Sequence, residues 1–75
     1  MIYEVQFYRW SGKPHSYEII RRYSGEFTDL DSAKLFGFAN TGPKDSPNEA
    51  DGFLVAQDGT VISQTIIKLQ TQPDA

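Results

Sequence analysis

Only one stretch of this chain, Thr28 to Asn40, carries a helical pattern, and extended segments flank it on both sides. Thr28 followed three residues later by Asp31 makes a variant of the capping box, with aspartate where glutamate or glutamine is usual. Asp29 and Asp31 fall in the first turn, where carboxylates favour the positive end of the helix dipole. Gly42 and Pro43 supply the stop. Gly37 lies inside the segment at a cost of about 1 kcal/mol relative to alanine, which implies close approach to a neighbouring layer. Leu30, Ala33 and Phe36 are expected to face that layer, while Leu35, Phe38 and Ala39 are left over on the outside. A short helix that is apolar most of the way round calls for a cover on its outer side.

Before the helix, Ile2 to Trp10 sets Tyr3, Val5 and Phe7 against Glu4 and Gln6, the period of a strand with one buried face. Ser11, Gly12, Lys13 and Pro14 read as a turn. His15 to Ser24 reads as a second strand, paired with the first as a hairpin. Its Ile19-Ile20 and Arg21-Arg22 doublets blur the alternation and point to a bulge or a shifted register. After the helix, Gly42 to Asp51 is a loop with mostly acidic charge, and Phe53 to Ala56 is a short apolar strand. Asp58-Gly59 is a strong two-residue hairpin signal, and Thr60 to Leu69 is the last strand. The predicted class is α+β: a four-stranded antiparallel sheet with one helix packed on one face, in the order β-β-α-β-β. One domain is expected over residues 1–69, with 70–75 as a flexible C-terminal tail. The second face of the sheet would show Glu4, Gln6, Tyr8 and Trp10.

A chain of 75 residues has little area with which to stabilise itself. A hydrophobic gain on the order of 115 kcal/mol is cancelled by an ordering cost of roughly 1.5 kcal/mol per residue. With no cysteine there is no disulfide to help, and a single histidine excludes a closed zinc site. The balance therefore asks for a partner copy, a ligand or another protein. No apolar run reaches the roughly 18 residues of a membrane span, and no basic-then-apolar leader opens the sequence. A cytoplasmic protein without membrane contact is expected.

The net charge of −3 conceals an asymmetry. Residues 1–25 hold four cations (Arg9, Lys13, Arg21, Arg22) against two carboxylates, for +2, whereas residues 26–75 hold three against eight, for −5. Seven of the ten aromatic residues also lie between Tyr3 and Phe27. This basic, aromatic hairpin suits two kinds of partner. Tyr, Trp and Arg anchor protein–protein contacts. Rings that stack on bases, with cations that follow phosphates, hold single-stranded nucleic acid. The acidic remainder and a pI near 4.8 weigh against the second.

Catalytic, metal and cofactor chemistry find little support. His15, the one histidine, sits in a turn, and Ser16 beside it would point to the other face of an extended chain. Asp45, Asn48, Glu49 and Asp51 share the acidic loop, but their spacing does not fit an EF-hand, so a solvated loop is expected over a weak cation site. No glycine-rich phosphate loop is present. The expectation is a small non-enzymatic protein-interaction module, homodimeric or bound to another protein, with no cofactor and no metal. Its contacts are assigned to Tyr8, Arg9, Trp10, Arg21 and Arg22, with Leu35 and Phe38 as a second surface. The alternative is a single-stranded nucleic-acid binder using the same hairpin. A third reading is a small enzyme or ligand carrier whose site forms only between subunits.

Overall fold

A computed structural model describes residues 1–42 and 49–69. Strand β1 (Ile2–Trp10), strand β2 (Tyr17–Glu26), helix α1 (Leu30–Ala39), strand β3 (Gly52–Gln57) and strand β4 (Thr60–Ile66) follow in that order. The strands form one sheet in the spatial order β2-β1-β3-β4, with every neighbouring pair antiparallel. This is the expected α+β arrangement, with α1 lying over the two central strands on one face.

Alternation decides which side chains meet the helix. Tyr3, Val5 and Phe7 of β1 join Phe53 and Val55 of β3 and Ala33 of α1 in the core, with Leu30, Phe36, Phe27 and Ile20 packed around them. Strand β3, flanked by β1 and β4, is buried along almost its whole length. Gly37 touches that core directly. A Cβ there would stand 2.6 Å from ring atoms of Phe53, so only glycine lets the helix come this close.

Several boundaries differ from the sequence reading. The second strand begins at Tyr17 rather than His15, because Ser16 N–H donates to the Lys13 carbonyl at 3.2 Å and His15 turns left-handed at φ 59°. It runs on to Glu26, pairing with Ile2. The helix is capped by Asp29 rather than Thr28: the Asp29 carboxylate accepts from Ser32 N–H at 2.9 Å, and its backbone is extended. That bond holds the Asp29 carboxyl below its ordinary value. The helix stops at Ala39, with Asn40 N–H bonded to the Gly37 carbonyl. Finally, β4 ends at Ile66, because the next two N–H groups, of Ile67 and Lys68, both turn to the Asp51 carbonyl.

The anticipated irregularity in β2 is a bulge. Phe7 faces Arg21 and Tyr8 faces Ile19, which leaves Ile20 as the extra residue. A second bulge leaves Ile62 extra in β4, where Val55 faces Ser63 and Ala56 faces Val61. The Asp58-Gly59 turn has positive φ at both residues, 53° and 80°, as a type I′ hairpin requires. Pro43, Asp45, Asn48 and the tail 70–75 lie outside the described residues. No helix among those described is long and apolar enough to cross a membrane.

Two substitutions test this account. Gly37→Ala regains up to about 1 kcal/mol of helix propensity but forces a methyl into the Phe53 ring, an overpacking cost of about 1–3 kcal/mol. Urea unfolding should show a net loss of about 1 kcal/mol, and a stabilised variant would contradict the close approach. Asp29→Ala should lower the melting temperature where Thr28→Ala does not; equal effects would return the cap to Thr28.

Candidate functional site

The hairpin residues singled out by the sequence do not share a surface. Tyr8, Trp10 and Arg22 stand on the open face of the sheet, whereas Arg9 and Arg21 stand on the helix face. Arg21 is held there by its surroundings. Its guanidinium lies 4.6 Å from the centre of the Phe7 ring, and Nη2 donates to the Asn40 carbonyl at 2.8 Å. Arg22 is exposed opposite Gln6. Adjacent arginines on a strand separate in this way whatever their partners, so Arg21 goes to Phe7 on the helix face and away from Tyr8 and Trp10.

Tyr8 is fully buried although no helix covers its face. Its ring lies across Gly52, where a Cβ would collide with the phenol oxygen, and its hydroxyl donates to the Thr65 carbonyl at 3.3 Å. Trp10 and Tyr17 close over it, with ring centres 5.3 and 4.9 Å away. Trp10 is itself tied down, by Nε1–H donating to the Lys68 carbonyl at 2.7 Å and its backbone N–H donating to the Asp51 carboxylate at 2.8 Å. Asp51 also gives its N–H to the Tyr8 carbonyl. Lys68 completes the knot with an ion pair to Glu49 at 2.9 Å. The aromatic end of the hairpin thus clamps the start of β3 to the end of β4. Sequence reasoning missed Asp51 and Lys68 in this role, because they lie more than forty positions from Trp10, and it gave Tyr17 no part in covering Tyr8.

The second set of residues stands differently. Leu35 is 69% exposed and Phe38 52%, on the side of α1 turned away from the sheet, although one edge of Phe38 still meets Phe53 with ring centres 5.2 Å apart. The expected stripe of Leu30, Ala33 and Phe36 does face the core.

The largest apolar exposure lies on β4 and just after it. Val61, Ile62, Ile66 and Ile67 are each 43–49% exposed, and Leu69 more so. Strand β4 forms one edge of the sheet, and Thr60 to Ile67 contains neither a charged residue nor proline. The other edge, β2, carries Glu18, Arg21, Arg22 and Glu26. Charges and prolines are what usually guard an edge against pairing. The signal was present in the uncharged, β-branched run, but nothing in the sequence says which strands become edges.

The depressions found among the described residues are shallow, one of them about 330 Å³ beside Ile19 to Arg22. A shallow depression of about 240 Å³ on the open face is lined by Glu4, Gln6, Ser24 and Asp58 among others, and Glu4 already accepts a hydrogen bond from Gln6. Among the described residues, no three His, Cys, Asp or Glu side chains are grouped to hold a metal ion. No protein family matches the chain, nor does any curated protein or solved structure.

Burial raises the Tyr8 phenol above its ordinary 10.0, and the charges of Asp51 and Tyr17 add to this against a hydrogen bond from Gln64. The folded state therefore keeps its proton where the unfolded chain loses it. That contribution is complete below about pH 10 and is lost as pH rises toward the folded value. Tyr8→Phe should flatten the fall in stability above pH 10 relative to the natural chain. An unchanged slope in urea titrations at several alkaline pH values would place Tyr8 in contact with solvent.

Proposed function

We propose that this chain is a small non-enzymatic protein-interaction module that works as a homodimer. The observation that supports it best is the edge strand β4, uncharged and with Val61, Ile62 and Ile66 half-exposed, in a chain whose opposite edge carries four charged residues. Apolar surface of this kind on so small a domain stabilises the folded state when a second copy covers it. The near-cancellation of burial and ordering terms in a single chain favours the same reading. The hairpin rings are occupied within the fold, which shifts the contact surface from Tyr8 and Trp10 toward β4, with Leu35 and Phe38 as its alternative on the helix.

Sedimentation equilibrium should give a mass near twice the 8.5 kDa of one chain, and the melting temperature should rise with protein concentration. A mass of one chain at the highest soluble concentration, with a constant melting temperature, would overturn the homodimer.

A further inference from the structure

We propose that two copies join β4 to β4 in antiparallel fashion about a twofold axis at Gln64, making one continuous eight-stranded sheet. The inference rests on the homodimer reading and specifies its seam. A free strand edge presents a row of backbone donors and acceptors, so its natural occupant is another strand rather than a helix or a small ligand. Joining β4 to β2 of the next copy would leave a new open edge each time and build a fibre, whereas β4 to β4 uses both edges at once and closes. The chain carries −3, yet the seam from Thr60 to Ile67 has no charge, so two copies meet there without like charges face to face.

The register follows from the side chains. An axis at Gln64 sets Ile62 against the partner's Ile66, and Ser63 against the partner's Thr65, so apolar meets apolar and hydroxyl meets hydroxyl. An axis at Ser63 would set Ile62 against the partner's Gln64 and Ile66 against the partner's Thr60. The bulge at Ile62 confines the regular pairing to Ser63–Ile66, so Gln64 lies within the paired stretch and the Ile62 side chain meets the partner's Ile66 just beside it rather than as a ladder pair. The exposed β2 edges would remain at the two ends of the double sheet, where Glu18, Arg22 and Glu26 guard them.

The chain has no cysteine, which makes the axis directly measurable. Residues facing each other across an antiparallel pair have Cα atoms about 4.5–5.5 Å apart, inside the span a disulfide bridges. Single-cysteine variants Gln64→Cys, Ser63→Cys and Leu35→Cys would be oxidised with a glutathione couple and read on non-reducing gels, beside sedimentation of each reduced protein. The expected result is cross-linking of Gln64→Cys at least about tenfold faster than of Leu35→Cys, as held rather than colliding thiols require. Ile62→Lys, at an exposed position that leaves the core intact, should reduce the mass to one chain with an unchanged circular dichroism spectrum. Faster linking by Ser63→Cys overturns the register. A dimer in which Gln64→Cys links no faster than Leu35→Cys, and which survives Ile62→Lys, overturns the seam and leaves the homodimer standing. A single-chain mass for every reduced protein overturns both.

Discussion

A helix of ten residues, about 15 Å long and about 10 Å wide, cannot cover a sheet of four strands spaced about 4.8 Å apart. It covers two. The rest of the structure follows from which two they are. Strands β1 and β3 take the central positions, and they supply every strand residue of the fully buried core around Val5, Phe7, Phe53 and Val55. Gly37 deepens the fit by letting the helix backbone approach Phe53. The outer strands receive only partial shelter, and each meets this in its own way. Strand β2 brings Tyr23 against Phe36, ring on ring at 4.4 Å, and lays Arg21 over Phe7. Strand β4 has no aromatic residue with which to do the same and keeps its isoleucines in water.

The face without a helix needs its own protection, because β3 also exposes apolar residues there. Leu54 and Ala56 lie on that face, yet each is only 4% exposed. At the Trp10 end the cover is the stack of Tyr8, Trp10 and Tyr17. This works because Gly52 gives the phenol a flat floor and Asp51 fixes the surrounding backbone. A set of residues that resembles a binding patch in sequence is thereby a substitute for a second layer. Aromatic and cationic side chains serve both purposes equally well, and only their hydrogen-bond partners tell the two apart.

The element order was legible because its signals are local. The Asp58-Gly59 pair, the alternation over Tyr3, Val5 and Phe7, and the apolar run Phe53 to Ala56 each act within a few residues. The doublets at Ile19 and Arg21 announced a bulge for the same reason. What escaped was set by competition or by distance. Thr28 and Asp29 both make good caps, and the contact with Ser32 N–H that chose Asp29 is visible only once the chain turns. The strand order placed β3 between β1 and β4, which made β4 an edge, and no local pattern encodes that. The clamp on Trp10 relies on Asp51 and Lys68, far along the chain. Leu35 and Phe38 were legible as leftover apolar residues, since helical geometry alone turns them away from Ala33.

In the proposed homodimer the two edges matter more than either face. A bulge commonly twists an edge away from unwanted partners, and both outer strands have one. In β2 the bulge comes with flanking charges on each side, so twist and charge work together. In β4 it sits near the Thr60 end and leaves Ser63 to Ile66 regular, with no charge to replace the lost protection. An unprotected stretch this short is too limited to template indefinite assembly when it is used once. The proposed pairing with its own copy would consume it. In the proposed homodimer the β4 edge would be spent by the twofold contact and would need no guard of its own, in keeping with a chain that charges β2 and leaves β4 uncharged.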